Sequence, residues 1–366
     1  MDAHFNGYKV KYELLNQYMI PIVRSQYVKS MNVFINLDDL FHMMHNPMIN
    51  NEFQVCGQDA PKQLISNIFN LIGHYRYWCV KNHYECKIYA IYTSTIRSFK
   101  NNVYNVKYRE KFKQINSDEN ASYYFVNNAI KLAMPMLQII TKYIPDVYII
   151  DSKYLEPSMI PLFISEEINK ADWNLMISRD PYDLQYSYRS KWSMITPKGE
   201  YSRLVSQTGI WNYVNYKERV YDEDINLQYP YSLYILARSF VGDTYRSIPR
   251  LRKIGWKTLF KFLDQIIDEN PTASDNTLKL KLIEKIKGKS SLTNNMINDN
   301  LNSINIELQL EAMLELDKVL ITNQILDVPD YDNLQELNRI QFMKYPLNIQ
   351  FLCNTSTINS YKSPFD

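Results

Sequence analysis

Short apolar runs alternate with longer stretches of helical periodicity in the first half of the chain. The run VFINL (33–37) is rich in β-branched residues and is stopped by Asp38 and Asp39, which predicts a short buried strand. Apolar residues recur at helical spacing over 62–82 and again over 126–142, which predicts two long helices. The same reasoning predicts strands at 87–94, 147–150 and 173–178, and a helix at 159–169.

Strands that alternate with helices over about 150 residues predict an α/β fold, with a mainly parallel sheet and right-handed crossovers. In such sheets the functional crevice lies beyond the carboxyl ends of the strands. Polar residues that directly follow a predicted strand are therefore candidates for function. These are Asn36, Asp38, Asp151 and Asp180.

The pattern changes after residue 185. Residues 187–205 predict a hairpin that turns at Pro197-Lys198-Gly199. From about residue 230 onward the periodicity is almost entirely helical. We therefore predict an N-terminal arm (1–29), an α/β domain (30–235), a helical platform (236–335) and a C-terminal tail (336–366).

Composition narrows the class of protein. The 41 Lys+Arg residues nearly balance the 39 Asp+Glu residues, so any surface for nucleic acid must be local. The four cysteines are too few for a disulfide framework, and Cys79-x3-His83-x2-Cys86 indicates a helix end with core thiols more readily than zinc. No signal peptide or membrane-spanning run is visible, so we expect an intracellular, soluble protein without a membrane partner.

The segment FVGDTYRSIPRLRKIGWKTLFKFL (240–263) carries the most specific signal. It predicts a helix, a polar turn, an Ile-Pro stop, a basic turn, and a second helix opened by Gly255. Backbone N–H groups at a helix start beside basic side chains can bind phosphate, although a basic surface hairpin gives the same pattern. The predicted nucleic-acid-binding residues here are Arg250, Arg252, Lys253, Gly255, Lys257 and Thr258.

The order of residues in this segment resembles the helix–three-turn–helix module of the flap endonuclease/5′-3′ exonuclease family, G-D-x-S-D-N-I-P-G-V-x-G-I-G-x-K-T-A. The matching residues are Gly242, Asp243, Ile248, Pro249, Ile254, Gly255, Lys257 and Thr258. Further similar segments are FINLDDLFHMM (34–44), SFKNNVYNVKYREKF (98–112), YLEPSMIPLFI (154–164) and SRDPYDLQY (178–186). The resemblance covers roughly 30–330. It implies a PIN-like, flap-endonuclease-like sheet, a helical platform that grips DNA, and phosphate contacts from Lys107 and Arg109 of 98–112.

The family cleaves phosphodiesters with two divalent metal ions, which requires several converging carboxylates. The resemblance implies Glu156, Asp180, Asp183 and Asp243 as catalytic residues, with Glu156, Asp180 and Asp243 as ligands of Mg²⁺ or Mn²⁺. Other acidic positions of the family are occupied here by neutral or basic residues. These are Asn36, Ser158, Met159, Tyr182 and Arg246.

Three hypotheses follow. The first is a catalytically inactive nuclease-fold protein without a cofactor, which binds DNA or serves as a structural component of a bacteriophage particle. The tyrosine-, asparagine- and lysine-rich usage of an AT-rich genome favours a phage source, with host cytoplasm or virion as location and phage proteins or further copies of the chain as partners. The alternative is an active Mg²⁺- or Mn²⁺-dependent 5′-nuclease or flap endonuclease. The third is an architectural DNA-binding protein that acts through the platform alone.

Overall fold

The computed structural model describes most of the chain from residue 2 to residue 326. The described ranges are 2–44, 57–93, 121–142, 144–151, 155–221, 225–243, 248–289 and 294–326, together with residues 52 and 55. The predicted arch entry with Lys107 and Arg109, the position of Arg246 and the predicted tail 336–366 lie outside these residues.

A six-stranded sheet forms the centre of the α/β region, in the order β3-β2-β1-β4-β5-β6. All neighbouring strands are parallel except β5 and β6, which pair antiparallel as the predicted hairpin. The central strand β1 is buried at every position after Ser30, as expected of a strand covered on both faces. The strands are β1 (Ser30–Asn36), β2 (Glu85–Tyr92), β3 (Val147–Asp151), β4 (Trp173–Ile177), β5 (Trp192–Thr196) and β6 (Arg203–Val205).

Helices cover both faces of the sheet and build two hydrophobic clusters, one on each side. The helices of the α/β region are α1 (Asp2–Tyr8), α2 (Tyr12–Ser25), α3 (Leu37–Met44), α4 (Ala60–Lys81), α5 (Ala121–Thr141), α6 (Ile160–Phe163) and α7 (Ile210–Glu218). Helix α6 continues as a π-helical turn over Ile164–Ile168. Cys79 is buried at the end of α4, and Cys86 is half-buried in β2.

A helical region follows the sheet. It contains α8 (Tyr234–Val241), α9 (Trp256–Glu269), α10 (Asp275–Lys287), α11 (Asn294–Ile304) and α12 (Ile306–Leu326). Together, the sheet and these helices confirm the predicted fold class, an α/β, mainly parallel sheet flanked by helices with an all-helical C-terminal region. Among the described residues, no helix is both long enough and apolar enough to span a bilayer.

The N-terminal segment differs from the predicted arm. Helices α1 and α2 bury Phe5, Tyr8 and Leu15 in the core of the α/β region. The Tyr75 hydroxyl on α4 donates to the Tyr8 carbonyl at 2.6 Å and fixes the end of α1. The segment contains many polar residues because these two helices are amphipathic, so its apolar side is hidden against the sheet layer.

Candidate functional site

A buried polar cluster lies at the carboxyl ends of β1 and β4, the edge where the sequence predicts function. Asn36, the last residue of β1, donates from Nδ2 to Oδ2 of Asp183 at 2.8 Å. The Ser178 hydroxyl, directly after β4, donates to the same oxygen at 2.5 Å. Asp183 is fully buried, and its Oδ1 has no hydrogen-bond partner among the described residues.

The turn after β4 explains why Asp183 reaches β1. Asp180 caps the 3₁₀ helix Pro181–Tyr188, because its side chain accepts a 2.9 Å hydrogen bond from the Tyr182 backbone N–H. This turn directs Tyr182 into the core, where it is 1% exposed, and brings Asp183 back to Asn36. The family position filled by Tyr182 is therefore part of the packing, whereas the next residue joins the polar cluster.

Burial, together with the neighbouring charge of Asp180, raises the pKa of Asp183 to about 7. Hydrogen bonds from Ser178 and Asn36, and the nearby Ser158 hydroxyl, oppose this shift. The Asp183 carboxyl group, with its pKa of about 7, therefore changes protonation state near neutral pH. The hydroxyl of Ser158 thus lies beside Asp183 at a position where family members carry an aspartate.

Asp39 is a member of this edge that the motif comparison missed. Its carboxylate accepts a hydrogen bond from the Tyr8 hydroxyl and another from the Arg179 backbone N–H at 2.9 Å. Burial raises the pKa of Asp39, and the charge of Asp180 adds to the increase. The strand-end position of Asp39, one residue beyond Asp38, was the available signal, but its partner Tyr8 lies 31 residues away.

Glu156 and its neighbours lie at the start of α6. Glu156 is buried, and its carbonyl accepts a 2.8 Å hydrogen bond from the Met159 backbone N–H. The side chain of Met159 is 1% exposed and packs in the core, so an apolar residue fills a second acidic position of the family. The Ser158 carbonyl accepts from the Tyr186 hydroxyl at 2.5 Å, which ties the start of α6 to the turn after β4.

Asp243 lies at the end of α8. Its carboxylate forms a 3.0 Å salt bridge with Arg238, and the two side chains are 6% and 12% exposed. Its backbone pairs with Ile248 in a short antiparallel bridge. The preceding Gly242 has φ +73°, and a Cβ there would lie 2.7 Å from the backbone of Ile248 and Arg250. Glycine is therefore required where the two sides of the turn meet.

The basic turn, by which we mean residues 250–257, leads into α9 as predicted. Gly255 precedes the first residue of α9, and the Arg250 guanidinium packs across it while Nε donates to the Ile254 carbonyl at 2.6 Å. Lys253 has φ +66°, a left-handed conformation that favours glycine and coincides with a glycine of the family pattern. The side chains of Arg250, Arg252, Lys253 and Lys257 are exposed, and that of Thr258 is half-buried.

The predicted acidic residues have different partners in the structure. Asp180 lies close enough to Asp39 and Asp183 to raise the pKa of both carboxyls. Asp243 belongs to the helical region and pairs with Arg238. Within the described part of the chain, no group of three or more His, Cys, Asp or Glu side chains is arranged to hold a metal ion. The metal role of Glu156, Asp180 and Asp243 remains a prediction.

Two comparisons by sequence returned nothing: no protein-family model matches this chain, and no curated protein matches it. By structure, the chain is similar to the T5 D15 protein co-crystallised with metal ions, with 15% identity and a TM-score of 0.45 over 81% of this chain and 98% of that chain. It is also similar to the T5 5′-exonuclease with bound zinc, with 17% identity and a TM-score of 0.46 over 81% and 99%. The second neighbour bears the name of the family that the motifs resemble. Because both TM-scores lie below 0.5, the roles proposed below rest on this chain's own side chains.

Proposed function

We propose that this chain is a nuclease-fold protein that binds duplex DNA through its basic turn and helical region and does not hydrolyse it. A structural role in a phage particle is compatible with such binding. The proposal joins two features of the molecule. One is the acidic edge, which we define as Asp39, Asp180 and Asp183 at the carboxyl ends of β1 and β4, where the protein's own donors bond the carboxylates. The other is the exposed basic turn.

The observation that carries the first half of the proposal is the hydrogen bond from Asn36 to Asp183. Mg²⁺ and Mn²⁺ require oxygen ligands, and carboxylates also offset their charge. Here the amide of Asn36, the last residue of β1, presents an N–H donor to the Asp183 carboxylate, and Ser178 presents a second donor to the same carboxylate. This donor set does not fit a pair of divalent ions.

The salt bridge of Arg238 with Asp243 supports the same conclusion. The Arg238 guanidinium bonds Asp243 at 3.0 Å, so a cation of the protein already offsets that carboxylate. A divalent ion at Asp243 would have to compete with this pair and would be repelled by the buried guanidinium. We therefore assign no reaction step to Mg²⁺ or Mn²⁺ in this chain.

The second half of the proposal rests on the exposed cations of the basic turn. Arg252, Lys253 and Lys257 are exposed at the start of α9, where the first backbone N–H groups have no carbonyl partner within the helix and no side chain caps them. Contacts of this kind bind the phosphate backbone without reading sequence. We expect duplex affinity to fall steeply with salt, because each phosphate contact releases counterions.

A paired binding and cleavage assay tests the proposal. Labelled duplex, nicked and flapped DNA are titrated with the full chain, and the same mixtures are incubated with Mg²⁺ or Mn²⁺ and resolved on a gel. We expect salt-sensitive binding without cleavage, and weaker binding for Arg252→Gln with Lys257→Gln. Cleavage that disappears in Asp180→Ala and in Asp243→Ala would overturn the inactive assignment, and absence of binding would overturn the DNA assignment.

An active metal-dependent 5′-nuclease is the second candidate, since Asp39, Asp180 and Asp183 interact electrostatically at one edge of the sheet. A rearranged centre would use Glu156, Asp180, Asp183 and Asp243. The cleavage arm above decides between the two candidates. Asp39→Asn is a useful addition, because loss of cleavage in this variant would place the metal centre on a carboxylate outside the family motifs.

A further inference from the structure

A groove of about 620 Å³ lies between α9 and the end of α10, away from the acidic edge. We call it the α9/α10 groove. Its lining includes Lys261, Phe262, Gln265, Lys285 and Lys289. The basic side chains therefore come from two different helices and converge on one concave surface.

Two of these lysines form no ion pair with any side chain in the described ranges. Neither Lys261 nor Lys289 forms a salt bridge with a described residue, whereas Lys285 pairs with Glu269 at 3.5 Å. The Lys289 ammonium lies 4.9 Å from the centre of the Phe262 ring, so its position is held by a cation–π contact. The groove thus combines solvent-facing positive charge with a partly fixed geometry, which suits an anionic ligand.

The groove continues the basic turn. Lys257 and Lys261 are one turn apart on α9, and Thr258 lies both on the first turn of α9 and in the groove lining. From Lys257 to Gln265 the helix advances about 12 Å at 1.5 Å per residue. One strand of DNA places a phosphate about every 3.4 Å along the duplex axis, so this length matches several phosphates rather than one small anion.

We infer that the α9/α10 groove is a second phosphate-backbone contact for duplex DNA, next to the basic turn and distinct from it. This inference rests on the proposed DNA-binding function and extends its footprint along α9 to Lys285 and Lys289. An acidic protein segment is the competing occupant. Continuity with the basic turn favours nucleic acid, because one strand can follow both surfaces.

The test measures duplex affinity of the full chain against salt by fluorescence anisotropy. The groove variant is Lys261→Gln with Lys289→Gln, and the control is Lys279→Gln with Lys287→Gln, which removes the same charge from α10 positions outside the groove lining. We expect the groove variant to lower the slope of log affinity against log salt by about 2 and the affinity by about 10-fold or more. The control is expected to change the slope by less than half as much.

Glu269→Gln should change duplex affinity in the opposite direction. It frees Lys285 from its ion pair, so we expect tighter duplex binding by about two- to threefold, in line with the small free energy of a partly exposed pair. Weaker binding in this variant would count against the groove assignment.

The outcomes separate the two proposals. If the wild-type chain does not bind duplex, both fail together. If Arg252→Gln with Lys257→Gln weakens binding while the groove variant matches its control, the proposed function stands and the groove assignment is overturned. It is equally overturned if the groove variant loses binding of a polyglutamate peptide and keeps full duplex affinity.

Discussion

The acidic edge of the sheet and the basic turn of the helical region differ in how far their charged side chains are exposed to solvent. At the edge, Asp183 is fully buried, Asp39 is half-buried, and both accept hydrogen bonds from the protein's own donors. At the turn, Arg252 and Lys253 are exposed to solvent. Carboxyl groups that accept hydrogen bonds inside the protein are less open to a ligand than exposed charges. The comparison is the basis of the proposal that the scaffold keeps a surface for DNA and has lost the pocket for divalent ions.

The largest expected effect comes from Asp243→Ala. It leaves the Arg238 guanidinium buried without its carboxylate, which costs about 3–5 kcal/mol of unfolding free energy. Urea denaturation followed by circular dichroism measures the loss. The control is Glu200→Ala, which removes the exposed 3.1 Å pair with Lys11 and should leave the midpoint unchanged. Equal losses in both variants would show that the Arg238–Asp243 pair is not the buried clamp described here.

Gly242→Ala should cause the second-largest loss of unfolding free energy. The added Cβ would meet backbone atoms 2.7 Å away at a residue with φ +73°, so we expect a loss of about 3 kcal/mol. Gly7→Ala is the matched control, because no atom lies within 4 Å of its Cβ position and alanine favours helix α1. Thermal unfolding distinguishes them. A Gly242→Ala chain as stable as the control would contradict the close approach in the turn.

The acidic edge should make stability depend on pH. Asp183 has a pKa of about 7 when folded and an ordinary carboxyl pKa when unfolded, so the folded state binds more protons between these values. Stability therefore falls as pH rises towards 7, by about 2 kcal/mol between pH 5 and pH 7. Asp183→Asn mimics the protonated form and should flatten this part of the curve. Unfolding free energies measured at half-unit pH steps check this, and an unchanged slope in the variant would contradict it. Asp39 contributes in the same direction.

The smallest effect concerns the basic turn. Lys253→Gly relieves a left-handed lysine at φ +66°, so we expect a gain of about 0.5–1 kcal/mol, reduced by the greater freedom of glycine in the unfolded chain. Lys253→Ala removes the same charge and keeps the strained backbone, so it should show no gain. Differential scanning calorimetry compares the three proteins. Equal midpoints for the two variants would indicate that φ at this residue carries no cost.

Much of the fold could be predicted from the sequence because its signals are local. Apolar periodicity places α4 and α5, and short apolar runs place β1 and β4 within a few residues of their observed bounds. The N-terminal helices were missed, although Leu15 and Met19 stand one turn apart on the buried side of α2. Their partners on α4 lie more than 60 residues away, a separation that no local pattern reveals.

The site was predicted less completely. The strand-end rule places Asn36 and Asp180 at the carboxyl-end edge of the sheet, and the structure has them there, because that position depends on chain direction alone. The hydrogen bond from Asn36 to Asp183 and the one from Tyr8 to Asp39 depend on how separate elements pack. The left-handed backbone of Lys253 could not be predicted either, because lysine has no preference for positive φ.

The most direct test of the central claim is thermal unfolding of the wild-type chain and of Asn36→Asp with increasing Mn²⁺. An ion that binds the folded state raises its stability with concentration. We predict that the wild-type midpoint does not move, whereas Asn36→Asp, which places a second carboxylate against Asp183, is destabilised without metal and regains stability as Mn²⁺ rises. A wild-type midpoint that climbs with Mn²⁺ and saturates would contradict the account.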